Sequence, residues 1–519
     1  MSVTKRIAFG AAASWFSRGV TILLGLVLMP VLFRHLPKEE LGVWLLLGQS
    51  WAAMGILDLG FGVTLTRRIA LAKGKSGGQL DAPLNDTTLR EIADLVSAGR
   101  RIYRWMALGV FVVAWSLGFF YLRNLELQNL SPATVWIAWT ILCACQALTV
   151  WATVWTCLLQ GVGYIGWDAL IASFISAAML IGQIVVVLCG GGLVALAAIA
   201  AVAVLLQRAL TRTFARRCRP ELFALQGKWN PEVLKGMGAL AFRAWLTAMG
   251  TILVFNSDQF FIASAKGTEQ IPAFRAAYVL VHNLTVLAVT FGGASAVFIS
   301  HLWQSGDLPQ VHRIVERNCR LGLLIMLFSA AVLGVAGHEL FNVWLGPGNF
   351  VGFAILGVFV LYETLEAQSY IISGSSRATE DEAFAVCSIL AGVLKIVLSI
   401  LLLRWWGLLG LACATLLSLL LTNHWYFVWR GLSRLKLPLG GYLRTVIVPS
   451  ALWFGAACAL GYGVSIAVGQ VADWTRLLSV TGTIGLLFLV ALWTSVLSPH
   501  ERGRIRTKLV SLKPGPSLS

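Results

Sequence analysis

The chain has 519 residues; 58% are hydrophobic and only 12% carry a charge. Soluble domains carry about 25% charged residues, so a water-soluble globular enzyme is excluded and an all-α polytopic membrane protein is expected. The formal net charge of +17 reads as the cytoplasmic positive charge that orients membrane spans, not as the footprint of a nucleic-acid partner.

Hydropathy marks about 14 spans, over residues 7–33, 41–66, 103–122, 134–159, 169–189, 194–214, 238–263, 273–300, 321–336, 350–373, 383–403, 408–429, 446–466 and 477–497. Most are near the roughly 20 apolar residues that cross a bilayer as a helix. The runs are continuous, unlike the alternating segments of about ten residues in outer-membrane strands. A helix also satisfies its backbone within the segment, as lipid demands. Lys5 and Arg6 precede the first run, which Arg18 interrupts and which continues to Phe33; a retained span is expected there, not a cleaved leader. The cysteines, among them Cys143, Cys145, Cys157 and Cys387, are scattered through apolar runs and read as packing residues, with neither disulfide nor zinc spacing.

Lysine and arginine alternate between the two sides of this layout. The link after the second span holds Lys73, Lys75, Arg90, Arg100, Arg101 and Arg104; that after the sixth holds Arg216, Arg217, Arg219, Lys228 and Lys235. Arg313 and Arg317 follow the eighth, Arg430, Arg434 and Lys436 the twelfth, and the tail carries Arg502, Arg504, Arg506, Lys508 and Lys513. The opposite links are nearly bare, with Arg123, Lys266, Arg404 and Arg476 almost alone. An even number of spans with both termini cytoplasmic fits this pattern.

A faint repeat divides the chain. Arg18 precedes Gly25 by seven residues in the first span, and Arg243 precedes Gly250 by seven in the seventh. Internal repeats are common in transporter folds, with the substrate path at the repeat interface. Helical spacing collects polar residues into stripes: Ala11, Ser14, Arg18, Thr21 and Gly25 in span 1; Trp51, Gly55, Asp58, Gly62 and Thr66 in span 2; Arg243, Thr247, Gly250, Val254 and Asp258 in span 7. Span 8 offers Arg275, Tyr278, His282 and Thr285, span 10 Glu363, Glu366, Tyr370 and Ser373, and span 11 Ser388, Gly392, Lys395 and Ser399.

Charge inside a span is expensive and is kept facing protein or water. Arg18, Arg243, Lys395 and Arg275 are therefore expected to line a cationic cavity, and Asp58, Asp258, Glu363, Glu366 and His282 to serve ion coupling or conformational change. Several of them have a structural reading too. Asp58 can pair with loop arginines, Arg275 can snorkel to headgroups, Glu363, Glu366 and Lys395 can form a packing network, and His282 can be a satisfied core histidine. No Walker A pattern occurs, so ATP use is not expected, and neither a catalytic set nor a metal site is read.

The run Phe33-Arg34-His35-Leu36-Pro37-Lys38-Glu39-Glu40-Leu41-Gly42, continuing to Leu57-Asp58-Leu59-Gly60-Phe61-Gly62 and Arg67-Arg68-Ile69-Ala70, resembles the opening of polysaccharide-transport (Wzx-like) flippases. These belong to the multidrug/oligosaccharidyl-lipid/polysaccharide exporter superfamily. Ser257-Asp258-Gln259 and Ala276-Ala277-Tyr278 open the second half similarly, although the linker from Lys266 to Pro272 lacks the family's small-Gly-Tyr ending. The resemblance implies two six-helix lobes around a central cavity, here 1–219 and 220–436, with two extra helices and a basic cytoplasmic tail over 437–519. It further implies a bacterial inner-membrane flippase, not an enzyme, that moves a polyprenyl-diphosphate-linked oligosaccharide from the inner to the outer leaflet by alternating access. Its expected partners are that glycan, membrane lipids, a polysaccharide polymerase and a chain-length regulator. No cofactor is expected beyond a proton or sodium gradient. A peptidoglycan lipid-precursor flippase and a cation-coupled multidrug antiporter of the same superfamily are the alternatives. A membrane glycosyltransferase would need acidic residues in large outer loops, and those loops are short and nearly empty of them.

Overall fold

The structure, a computed structural model, describes residues 3–55, 61–75, 84–224, 227, 237–379, 381, 383–469, 472–497 and 501–503. All regular elements among them are helical. In chain order they are α1 (Val3–His35), α2 (Lys38–Met54), α3 (Phe61–Gly74), α4 (Asp86–Leu122), α5 (Pro132–Val162), α6 (Ile165–Leu188), α7 (Leu193–Cys218), α8 (Glu221–Ala224) and α9 (Met237–Phe255). There follow α10 (Asp258–Lys266), α11 (Ile271–Gln304), α12 (Leu308–Leu345), α13 (Phe353–Arg377), α14 (Ala385–Ser418), α15 (Trp425–Arg434), α16 (Leu439–Tyr442), α17 (Val448–Val468) and α18 (Asp473–Ala491). Wider π-helical turns occupy Leu419–His424, Leu443–Ile447 and Leu492–Val496.

Among the described residues, 10 helical stretches are long and apolar enough to cross a membrane. One of them, Ala385–Arg434, is too long for a single crossing. It divides at Gly407, whose φ of 58° and ψ of −138° suit glycine and strain any other residue. Splitting that stretch and adding α1, the α2–α3 pair and the α9–α10 pair reproduces the 14-segment reading of a polytopic membrane protein. One expected span, the seventh, is not a single helix: it is interrupted at Asn256-Ser257, between α9 and α10. Of the second, residues 56–60 lie outside the described residues. Hydropathy sees apolar content and is blind to such a break. Likewise α4 and α12 run well beyond their apolar middles, because polar residues at a helix end do not stop a helix.

By packing, the chain forms two compact units. One comprises Met1–Ala276 with Phe384–Thr415, the other Ala277–Ala383 with Leu416–Ser519. The partition at 219 and 436 counts spans, whereas these bounds follow packing, so nearly all of α14 falls with the earlier helices.

In the first unit, the motif that opens α2 turns out to be a brace. Pro37 holds the extended entry to the helix at φ −55° and ψ 145°. Glu39 is buried and accepts hydrogen bonds from the backbone amides of Gln128 (2.6 Å) and Asn129 (2.8 Å). Glu40 accepts one from Leu193 at the start of α7 (2.7 Å), where a helix N-terminus favours a carboxylate. A Cβ on Gly42 would lie 2.0 Å from the Thr268 carbonyl oxygen, so only glycine permits that approach. Leu41, Val43 and Leu47 of α2 enter a core with Leu142 and Leu196. A second core gathers Leu65, Ile69, Tyr103, Val154 and Leu158. α9 meets α14 at small residues, Gly250 against the Ser388 backbone and Gly392 against Leu253, which is how membrane helices approach closely.

In the second unit α12 is the central helix, packed on α13, α17 and α18. Arg476 pairs with Glu339 at 2.8 Å and donates to the Ser465 hydroxyl. The guanidinium of Arg320 donates to the carbonyls of Thr445 (2.6 Å) and Ser495, one in each of two π-helical turns whose ladder leaves carbonyls free. Beyond α13, Asp381 receives two hydrogen bonds from Arg430, both 3.0 Å, and one from Ser376 at 3.1 Å. Burial pushes the Asp381 carboxyl up, but those donors outweigh it and hold the carboxyl below its ordinary range.

Two outcomes follow from these contacts. Gly250→Val forces a side chain into the Ser388 backbone, 2.3 Å from the position of the new Cβ, and is expected to cost about 1–3 kcal/mol. Gly109→Val, in open space, is the control, and thermal unfolding of the detergent-solubilised chain compares the two. For Asp381 the folded-state pKa is depressed, so its contribution is complete above the ordinary Asp value of about 3.9 and is lost as pH falls through the depressed value. Asp381→Asn should therefore lower the unfolding temperature near neutrality and converge on the wild type in acid. A gap of constant size across that range would contradict the assignment.

Candidate functional site

Two buried polar clusters stand out, one in each unit. The first forms at the break between α9 and α10. There the Asn256 amide still bonds to the Ile252 carbonyl (2.8 Å), and the Ser257 hydroxyl donates to that of Leu253 (2.7 Å). The chain then restarts as α10 with Asp258 in its first turn, where the exposed amides favour negative charge. Lys395, from α14 and wholly buried, donates its ammonium to both the Asp258 carboxylate and the Ser257 hydroxyl. The ammonium also lies 5.3 Å from the centre of the Phe261 ring. Arg275, half-buried on α11, adds a favourable charge interaction with Asp258.

Lys395 therefore does not line an open cationic cavity as the sequence led us to expect: it is enclosed, and its charge is matched by Asp258. Two glutamines escaped the sequence reading. Gln49 of α2 donates to the Asn256 side chain, and Gln259 is buried with neither amide atom hydrogen-bonded among the described residues. The run Ser257-Asp258-Gln259 was visible, but nothing in it tells which way an amide faces.

The second cluster lies between α11 and α13. Glu363 is fully buried, and one of its oxygens is 3.1 Å from Nδ1 of His282; with that nitrogen protonated, the ring donates to the carboxylate. The other oxygen has no hydrogen-bond partner among the described residues. Glu366 lies about one turn further along α13, within electrostatic reach of Glu363, His282 and Arg377. The His282 side chain is 45% exposed while Glu363 is 0% exposed, so the histidine joins a surface to an enclosed carboxylate. Tyr278 stacks on His282 with ring centres 5.4 Å apart. The (i, i+4) spacing of Tyr278 and His282 and the (i, i+3) spacing of Glu363 and Glu366 placed these pairs on one face each, as found.

Of the remaining expected residues, Asp58 and the side chains of Arg18 and Arg243 lie outside the described residues. Each unit also holds a cavity, of about 420 Å³ beside Met54, Trp139 and Phe260 and about 320 Å³ beside Leu327, Phe353 and Phe454. Both are lined almost wholly by apolar side chains, and neither touches any of the expected site residues. Among the described residues no cluster of three or more His, Cys, Asp or Glu could hold a metal.

The fold and these intramembrane clusters define a multi-pass helical membrane protein. Its fold is similar to those of several solved membrane proteins. It is similar to the lipid II flippase MurJ in an inward closed conformation, with a TM-score of 0.66 and 14% identity over 96% of this chain and 99% of that one. It is also similar to an inward-facing MATE multidrug-resistance transporter of the MOP superfamily (TM-score 0.61, 12% identity, 82% and 98% covered). A MOP-superfamily transporter from Pyrococcus furiosus aligns at 0.53, with 12% identity over 83% and 96%. No protein-family model matches the chain, and no curated protein matches it by sequence.

The Lys395–Asp258 pair can be tested by a double-mutant cycle. Lys395→Met alone strands a buried carboxylate and should cost about 3–5 kcal/mol of stability. Adding Asp258→Leu should recover most of the loss, since an apolar replacement of both partners is often neutral. Equal damage by the single and double variants would show that the pair does more than neutralise itself.

Proposed function

We propose that the protein is a flippase for lipid-linked oligosaccharide, carrying polyprenyl-diphosphate-linked repeat units from the inner to the outer leaflet for surface-polysaccharide assembly. The observation that carries the reading is the extent of the structural likeness. It runs over 96% of the chain for the lipid II flippase MurJ but only 82% for the inward-facing MATE transporter. The motif from Phe33 to Gly42 supports a glycan repeat unit as the cargo. The name of the MurJ neighbour supports a second reading, a peptidoglycan lipid precursor. A cationic drug is the weaker cargo, because Asp258, a carboxylate it would need, is already held by Lys395.

In this proposal the chain works by alternating access in a bacterial inner membrane, with both termini cytoplasmic. Arg18, mid-span in the first segment, and Arg243, near the start of the seventh, meet the diphosphate, for which a guanidinium is the suited partner. Arg275 is assigned to assist them, whereas Lys395 keeps Asp258 neutralised. The lipid tail stays in the bilayer. Each elementary charge moved across 100 mV is worth about 2.3 kcal/mol, so the potential drives a dianion out of a negative interior. His282, Glu363 and Glu366 supply a second coupling, taking up and releasing a proton: the half-exposed imidazole exchanges with water and relays to the enclosed carboxylate. Asp58 and Asp258 are assigned no separate ion. A polysaccharide polymerase and a chain-length regulator are the partners such a carrier would serve.

The test uses purified protein in liposomes with a labelled polyprenyl-diphosphate oligosaccharide. Flipping of the repeat unit is expected, slowed when the potential is collapsed at a fixed pH gradient. Glu363→Gln should remove the response to the pH gradient and leave the response to potential. Flipping of lipid II alone would transfer the assignment to the second reading. Transport of cationic dyes alone would overturn both.

A further inference from the structure

One cluster stands apart from everything above. It lies in the first unit, where α4, α5, α7 and α8 pack together. Arg208 of α7 lies 3.5 Å from the centre of the Trp151 indole on α5. One turn along each helix, Arg212 and Trp155 repeat the arrangement at 5.8 Å, and Arg100 of α4 reaches the same Trp155 ring, also at 5.8 Å. Phe223 stacks on Trp155 with centres 5.1 Å apart, fixing the indole. Tryptophan is the best aromatic seat for a cation, and here two seats hold three guanidiniums in fixed positions.

Among the described residues, none of Arg100, Arg208 and Arg212 forms an ion pair with a carboxylate. Arg208 and Arg212 are four residues apart, so they sit on one helix face and repel each other. They are about 6 Å apart along the axis, a spacing that two linked phosphates can bridge. The surroundings suit a lipid. On α7, the residues before this pair include exposed Val202, Leu205 and Leu206, and those after it are Arg216 and Arg217. The cluster thus falls where a helix passes from hydrocarbon to charged interface, and Arg100 and Arg212 are exposed while Arg208 is half-buried. Close stacking of Arg208 on Trp151 engages one face of its guanidinium and leaves the edge N–H groups to point at an anion, while Arg100 and Arg212 lie within reach of the Trp155 ring at 5.8 Å; the planar fork of arginine binds phosphate in a bidentate manner.

We infer that Arg100, Arg208 and Arg212, seated on Trp151 and Trp155, form a site for the diphosphate head of a membrane lipid, which on the flippase reading is where the substrate first docks. This deepens the function proposed above and rests on it for the identity of the cargo. The binding chemistry itself, guanidinium to lipid phosphate, does not.

The test measures binding, not transport. The full chain is placed in nanodiscs of phosphatidylcholine, and polyprenyl diphosphate, the corresponding polyprenyl alcohol and phosphatidylglycerol are titrated separately by native mass spectrometry. Polyprenyl diphosphate should bind at one site per chain, the alcohol at least tenfold more weakly. Arg208→Gln with Arg212→Gln should weaken the diphosphate at least tenfold without changing the alcohol. Arg208→Lys with Arg212→Lys keeps the charge and loses the fork, and should fall between, which separates recognition from misfolding. Wild-type affinity in the double glutamine variant would overturn the site. Phosphatidylglycerol binding as tightly as the diphosphate, and competing with it, would overturn the substrate assignment and leave a general anionic-lipid seat. If the site binds as described while liposomes flip no lipid-linked glycan, the flippase reading fails and the site stands.

Discussion

A charge enclosed among apolar helices must find its partner in the same medium, because water cannot reach it. That constraint organises the interior of both units. Lys395 could not remain buried without Asp258, and Asp258 can face it only because α9 stops at Phe255 and the chain restarts as α10. The helix break that hydropathy overlooked is thus the means by which a carboxylate is delivered to the ammonium. In the second unit the same constraint is met differently. Glu363 is not matched by a fixed cation but by an imidazole, whose charge depends on its proton. One cluster is locked and the other is adjustable, and the proposed division of labour between them rests on that difference.

Much of this was legible in the residues. The continuous apolar runs gave the span layout, and the (i, i+3) and (i, i+4) spacings gathered Glu363 with Glu366 and Tyr278 with His282 onto single faces. What was not legible was pairing across helices. Lys395 is separated from Asp258 by 137 residues, and no periodicity within one helix can report which of several distant carboxylates an ammonium meets. The expectation of an open cationic lining treated a mid-span charge as unspent. Gln259 and Gln49 were missed for a related reason, since an uncharged amide inside an apolar run has no signature until its neighbours are known.

The motif that carried the family resemblance has a physical meaning distinct from transport. Glu39 and Glu40 accept hydrogen bonds from the backbone amides of residues 128, 129 and 193, and Gly42 lets the chain around Thr268 come close. Such a motif identifies an architecture, because the contacts it makes are those of the fold. The motif bears on the cargo only through the resemblance it carries, whereas the charged interior and the interfacial arginines bear on it through geometry.

The discontinuity of the first unit bears on how the protein is made. Its last contribution, Phe384–Thr415, is separated from the rest by the whole stretch Ala277–Ala383. During synthesis the Asp258 carboxylate enters the bilayer long before the ribosome has produced its ammonium partner. In that interval it must stay protonated, borrow Arg275, or be shielded by the insertion machinery. Biogenesis of this fold is therefore not a matter of completing one half and then the other, since the earlier half is sealed only when a helix from late in the message arrives.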